Sequence, residues 1–182
     1  RHGIIHDCLP TPEGIQICRD YHIQMPMQSA FIGWKQEPDD YLEHILGHDR
    51  LEKLNPIRTF RDNNIVVSFG SDAPCTTPDP IVWMDRAVNN DNAGQAVSVQ
   101  DALRMCTYNG AWAAFDEQER GSLEAGKIAD MAVLSENPYT VPKDKLSGLR
   151  VERLYLSGKS YESCRESILP MMLRGLTSRN KA

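Results

Sequence analysis

Two side chains with metal-binding chemistry follow short apolar stretches of this sequence. His6 comes directly after "GII", and Asp72 lies two residues after the last residue of "IVVSFG". An imidazole and a carboxylate that converge can ligate a divalent metal. Each residue alone also has a plainer interpretation, because a single His is more often structural and an Asp before Ala-Pro more often forms a turn or a cap. From the residue types alone, both interpretations stay open.

Three apolar segments must position these two side chains. The sequence predicts strands at Gly3–Ile5, Met25–Gln28 and Ile65–Phe69, separated by helical patterns, and the third is apolar on both faces as a buried parallel strand should be. Strand and helix in alternation predict βαβ units and a parallel sheet. The carboxyl ends of parallel strands open into one mouth, so we expect His6 and Asp72 to point into the same crevice.

The pattern changes after this α/β part. Residues Ser98–Phe115 predict one strong helix that begins with a capping box of Ser98 and Asp101. A turn, a strand and a hairpin around "LSGK" then predict a small β module that packs as a separate unit. We therefore predict a partial catalytic domain over 1–115 with its closing helix, a partial β-sandwich domain over 116–163, and a tail over 164–182.

Composition and charge exclude several classes of function. The 182 residues carry a net charge of −5 without a Lys/Arg cluster, which argues against a nucleic-acid partner. No apolar run reaches the roughly 18–20 residues that cross a membrane. The five cysteines are scattered and form no CxxC pair, which favours reduced thiols and a cytoplasmic location. The apolar stretch among the first residues is too short for a signal peptide. We expect these residues to come from the middle of a longer chain.

Several stretches resemble one known family. "FGSDAP" followed by "PDP" and a helix resembles the last barrel strand of the amidohydrolase superfamily. "IIHDCLPTPEGI" is similar to the sixth-strand segment "IEHxxxxTPEDI" of amidohydrolase family 3, the N-substituted formamide deformylase-like branch. "QSAFI" resembles its strand-seven "QPxFL", with Ser29 where proline is more usual. The most specific match is "GSLEAGKIAD" with the family's "GSLEPGKxAD".

The resemblance implies a fold and a mechanism. It implies strands six to eight of a metal-dependent hydrolase (β/α)8 TIM barrel, followed by part of a β-sandwich, with one or two divalent metals, most often zinc. His6 carries over as a metal ligand, and Asp72 as a ligand that also takes a proton from the attacking water. The metal lowers the pKa of bound water to about 7, and a carboxylate beside that water passes its proton to the leaving amine. The substrate implied is a small amide, N-acyl or cyclic amide compound, and the substrate-binding candidates are Phe31 and Ser71.

The rest of the family's metal site does not occur in this sequence. The strand-one paired histidines, the strand-four Lys or Glu and the strand-five His are absent, and a catalytic zinc needs three protein ligands. The chain alone is therefore expected to be inactive. The alternative is a non-catalytic structural or interaction module that associates with another chain or with itself through its exposed barrel strands. Separately, we expect the apolar inner face of the three strands to be covered by a second copy, by the upstream half as another chain, or by the chain's own residues Ile168–Leu176. His44 and His48 have metal-binding spacing, but a solvated surface pair is the better interpretation because Gly47 should end their helix.

Overall fold

The computed structural model describes residues 1–161, which form a small parallel sheet with helices and a second, antiparallel sheet. The helices are α1 (Pro12–Asp20), α2 (Asp39–Leu46), α3 (His48–Leu51), α4 (Ile57–Asp62), α5 (Pro80–Val88), α6 (Val99–Cys106) and α7 (Tyr108–Ala113). The strands are β1 (Met25–Met27), β2 (Val67–Phe69), β3 (Met131–Leu134), β4 (Val151–Leu156) and β5 (Lys159–Tyr161), and 3₁₀ turns cover Ser29–Phe31 and Lys143–Gly148. In this part of the chain, no helix combines the length and the apolar character needed to cross a membrane.

The predicted parallel order of the first three segments is confirmed. β1 and β2 are parallel neighbours, with Met25 opposite Val67. On the other side of β1, Gly3 forms a parallel bridge to Gln24. The carboxyl ends of all three segments therefore lie at the same end of the arc, as the sequence predicted.

The first segment is less regular than predicted, and Pro26 explains why. Pro26 lies in the middle of β1 rather than at a bulge. The first segment, which runs beside β1, forms an isolated bridge instead of a strand. The N–H groups of Ile4 and His6 donate to the carbonyls of Gln24 (3.0 Å) and Pro26 (3.2 Å). Proline has no N–H, so the intervening rung from position 26 back to Ile4 cannot form.

The two faces of the parallel sheet differ in character. One face presents Met25, Met27 and Val67 to the hydrophobic core, where Ile57 and Phe60 of α4 are fully buried. Because side chains alternate along a strand, the other face carries a polar set. That set consists of Gln24, Gln28 and Ser68, and all three are buried. The predicted cover by Ile168–Leu176 lies outside the described residues.

Side-chain caps fix the helices that flank the strands. Thr11 Oγ1 accepts from the N–H of Gly14 (3.1 Å) at the start of α1, and Asp79 Oδ1 accepts from the N–H of Ile81 (2.9 Å) at the start of α5. The predicted capping box is confirmed, since Ser98 Oγ accepts from the N–H of Asp101 (3.0 Å). Each such cap contributes about 1 kcal/mol to helix stability.

The single helix predicted over Ser98–Phe115 is wrong at Thr107. That residue leaves helical geometry (φ −126°, ψ −89°) and separates α6 from α7. Its Oγ1 donates to the carbonyl of Leu103 (2.7 Å), a local bond that competes with helix continuation. The break turns α7 so that Asn109 Nδ2 donates to the carbonyl of Val67 (2.7 Å), a group at the open edge of β2.

The small β module forms as predicted, but the connection between its strands β3 and β4 packs against the hydrophobic core of the α/β part. β3, β4 and β5 are antiparallel, and the hairpin turns at Ser157 and Gly158, both with positive φ. Between β3 and β4, however, the 3₁₀ turn returns to α5. Leu146 is fully buried in the first core, and Asn89 Nδ2 donates to the carbonyl of Lys143 (2.7 Å). The boundary at residue 116 therefore stays a prediction, and the β3–β4 connection packs with the α/β part.

Candidate functional site

The arc brings together the two residues that the sequence singled out as metal ligands. His6 Nε2 lies 3.7 Å from Asp72 Oδ2, at the carboxyl ends of the parallel segments. Their side chains are 43% and 44% exposed, so both remain open to solvent and to a ligand. The convergence that the sequence predicted is therefore present in the chain.

Unusual backbone conformations aim both side chains. His6 (φ 69°) and Asp72 (φ 52°) occupy the left-handed region, which is uncommon outside glycine but which Asp and His adopt more readily than most residues. The loop after β2 holds Asp72 by local bonds: Ser71 Oγ accepts from the N–H of Ala73 (3.1 Å), and the carbonyl of Asp72 accepts from the N–H of Cys75 (2.8 Å). Positive φ is not confined to this site, since it is also adopted by His22, Asn55, Asn64, Phe115 and Ser157.

The two predicted substrate-binding residues lie in different local surroundings. The ring of Phe31 stacks on His6 at a centroid distance of 5.9 Å and an interplanar angle of 29°, and Trp34 lies against Phe31 at 5.0 Å. Ser71 Oγ is engaged by the turn through the N–H of Ala73, which leaves its hydroxyl proton to donate. Substrate contact by Phe31 and Ser71 stays a prediction.

Phe31 also borders a cleft of about 470 Å³. Neither His6 nor Asp72 lines this cleft. Its wall combines leucines of the α2–α4 region with carboxylates, among them Leu42, Leu51, Asp39 and Asp91. Its volume is in the range of small-molecule sites. Phe31 lines the cleft and also stacks on His6, so it connects the cleft with the His6–Asp72 pair.

The donor pair fits a divalent metal in spacing but is incomplete in number. With metal–ligand bonds of 2.0–2.2 Å and tetrahedral angles, two zinc donors stand about 3.4 Å apart. The observed 3.7 Å separation is close to that value. Within residues 1–161, no group of three or more His, Cys, Asp or Glu side chains is arranged to hold a metal. This part of the chain therefore offers at most two of the three protein donors that a catalytic zinc requires.

Burial near the end of the first parallel segment changes the pKa of a neighbouring thiol, that of Cys8. Desolvation raises the pKa of Cys8 to about 11, and the charges of Asp7 and Glu37 add to the rise. Desolvation likewise raises the pKa of Asp7 above its ordinary value. At neutral pH and without a metal, Cys8 is thus a protonated thiol, which is a poor nucleophile.

Sequence reasoning missed one polar residue at the same end of the arc. Gln28 follows β1 directly and is 8% exposed, yet its Oε1 has no hydrogen-bond partner in the described chain. The available signal was its place: it stands at a predicted strand end, as His6 and Asp72 do. A second signal was that Gln28 is the first residue of "QSAFI", the stretch that resembles the family's "QPxFL", but its burial and its unpaired oxygen are seen only in the structure.

Comparison with known proteins establishes the family. The amidohydrolase family model, family 3, matches residues 1–161, and the chain belongs to this family. It is 34% identical over 152 residues to the N-substituted formamide deformylase of Arthrobacter pascens, covering 80% of this chain and 26% of that protein. The resemblance seen in the sequence is thereby confirmed.

Solved structures show the same fold. An uncharacterized metal-dependent hydrolase from Pyrococcus horikoshii OT3 matches with a TM-score of 0.68 and 22% identity, over 78% of this chain and 30% of that one. An adenosine deaminase from Xanthomonas campestris with bound zinc matches with a TM-score of 0.64 and 18% identity, over 97% and 41%. The chain spans about a quarter of the length of the first curated relatives, at 26% and 23%.

Proposed function

We propose that the protein carrying this chain hydrolyses a non-peptide C–N bond of a small amide, N-acyl or cyclic amide substrate, with a divalent metal, zinc in the first instance. The observation that carries the proposal is the 3.7 Å approach of His6 Nε2 to Asp72 Oδ2 at the mouth of a parallel arc. Family membership supports it, and so does the deformylase relative, whose name specifies N-substituted formamides. The other half of the ligand set comes from outside these residues.

Each residue of the pair has a defined task in this reaction. The metal, when bound, supplies an activated water and polarises the scissile carbonyl. His6 contributes a neutral imidazole nitrogen, held in place by the ring of Phe31 stacked on it. Asp72 accepts the proton of the attacking water at Oδ2 and then donates it to the leaving nitrogen, which departs as an amine.

Metal removal and replacement test the proposal. The full-length protein, treated with a chelator, should lose hydrolysis of a panel of N-alkyl formamides and N-acyl amines, and added zinc should restore it. His6→Ala should require a higher zinc concentration for restoration, because one donor is gone. Leu9→Ala, a change in the loop beside His6, is the control and should regain activity at the zinc concentration of the unmodified protein. Full turnover after chelation would contradict the metal mechanism.

The alternative, a non-catalytic interaction module, was predicted to associate through the barrel strands, but the observation that favours it lies in the other sheet. The β3–β5 sheet exposes apolar side chains, including Val133, Val151 and Leu156. Val133 pairs with Arg153 and therefore lies on the face opposite to Leu156, so both faces of this sheet expose apolar side chains that favour contact with further protein. If this were the main role, light scattering would show a defined oligomer that Val151→Lys dissociates, while the panel of amides would remain unhydrolysed with every metal.

A further inference from the structure

We propose that Gln28 binds the amide group of the substrate through its side-chain carboxamide. The inference rests on the proposed amide hydrolysis and adds a residue that recognises the bond to be broken. Gln28 stands one residue after β1, at the same end of the arc as the His6–Asp72 pair. Its role would be to orient the substrate while the pair acts on water.

The strand register places Gln28 on the face that looks into the mouth. Pro26 pairs with Ser68, and partners in a parallel pair share a face. Two residues further along each strand, the same face therefore carries Gln28 and Gly70. A Cβ at position 70 would lie 3.8 Å from Gln28 Nε2, an ordinary van der Waals distance, so Gly70 and the carboxamide are neighbours on this face.

The carboxamide is buried and lacks a partner. Gln28 is 8% exposed, and its Oε1 accepts no hydrogen bond from residues 1–161. Its backbone is held, because the carbonyl of Gln28 accepts from the N–H of Phe31 (3.0 Å). An unpaired buried acceptor is costly, so native proteins supply it with a donor. Here the donor has to come from outside the described residues.

A substrate amide is a donor of the right chemistry. A carboxamide has an acceptor oxygen and a donor nitrogen, as a substrate amide does, so the two groups are complementary. A turn of the carboxamide about its last bond exchanges the two ends, so either the N–H or the carbonyl of the substrate can be bound. Gln28 carries no charge at any working pH, so it can bind the amide without competing for the metal.

Gln24 offers a matched control on the same face. It is 6% exposed, and its Oε1 also has no partner in the described part of the chain. It lies four residues before Gln28, at the other end of the strand, a distance of about 13 Å along an extended chain. If both oxygens instead accept hydrogen bonds from the remainder of the protein, replacing either glutamine should have the same effect. If Gln28 binds substrate, only Gln28 should affect catalysis.

The test compares Gln28→Met and Gln24→Met in the full-length, zinc-loaded protein. Methionine keeps the shape and removes the hydrogen-bonding groups. Gln28→Met should lower kcat/KM for N-alkyl formamides by about 10- to 100-fold, with an unchanged Tm and zinc content. Gln24→Met should keep kcat/KM within about 3-fold. Equal losses in the two variants, or full activity in Gln28→Met, would overturn the proposal.

A binding measurement separates this inference from the proposed reaction. N-ethylurea, an amide analogue, is titrated calorimetrically into the same three proteins. If no formamide or N-acyl amine is hydrolysed but N-ethylurea binds and Gln28→Met weakens it about 10-fold, the reaction is wrong and the role of Gln28 stands. Binding that does not depend on Gln28, or no binding by the unmodified protein, would overturn the role of Gln28.

Discussion

Replacing Asp72 by asparagine separates proton transfer from the architecture of the site. Asparagine has the same shape and keeps an oxygen for the metal, but it cannot accept a proton from water at neutral pH. The left-handed backbone at Asp72 (φ 52°) suits asparagine, so the loop should keep its conformation. Among residues 1–161, the only ionisable group paired with the carboxylate is His6 at 3.7 Å, and the side chain is 44% exposed. We therefore expect the free energy of unfolding to change by no more than about 0.5 kcal/mol.

The effect on turnover should be much larger. A positioned general base contributes about 10²- to 10⁴-fold to rate, which corresponds to roughly 3–5.5 kcal/mol in the activation free energy. Loss of the Asp72 carboxylate should lower kcat by this factor. Because the carboxylate also serves as a ligand, the comparison must be made at a zinc concentration that saturates both proteins.

The assay is amine release from an N-alkyl formamide by the full-length protein, with zinc content and Tm measured on the same samples. Asp7→Asn is the matched control, since Asp7 adjoins His6 but belongs to neither predicted role, and it should keep kcat within about 3-fold. The reasoning is refuted if the Asp72→Asn protein, loaded with zinc, keeps more than about a tenth of the kcat of the unmodified protein.

Three further predictions concern metal binding, packing and pH. Calorimetric titration of the 182-residue chain with zinc should reveal no site tighter than micromolar, because two donors are too few, and a tight stoichiometric site would contradict this. Phe60→Ala should lower the free energy of unfolding by about 3–5 kcal/mol in urea denaturation, since the ring is fully buried, and a loss below 1 kcal/mol would contradict the packing. Burial alone would raise the pKa of Asp101, but hydrogen bonds from Ser98 and Arg61 hold it below its ordinary 3.8. Its stabilisation should thus be present above that value and fade as pH falls through the folded pKa, so Asp101→Asn should cost about 1 kcal/mol at pH 7 and progressively less in acid unfolding curves.

The parts that the sequence predicted well depend on local or strongly periodic signals. The run Ile65–Phe69 identified a buried strand, although β2 begins two residues later, at Val67. Cap residues such as Thr11 and Ser98 marked helix starts because their side chains bond within three residues. The convergence of His6 and Asp72 followed from parallel topology alone, since parallel strands share one mouth.

The parts that the sequence could not predict depend on tertiary contacts. A strong helical pattern over Ser98–Phe115 hides the break at Thr107, which is stabilised by Asn109 reaching the carbonyl of Val67 in another element. The return of Leu146 to the first core is likewise a long-range packing choice. Gln28 carries no periodic signal, because a polar residue at a strand end looks like the start of a loop until its burial is known.

Pro26 has a consequence for how firmly the two metal-ligand candidates are anchored. The missing rung leaves the segment with His6 without a backbone bond between those of Ile4 and His6, so it can open locally while the β1–β2 pair stays closed. The amide protons of Ile4 and His6 should therefore exchange with solvent faster than that of Met25, which donates to the carbonyl of Val66 at 2.8 Å. Asp72 follows the β1–β2 pair, whereas His6 follows the segment that opens more readily, so the separation of these two proposed ligands should vary mainly through movement of His6.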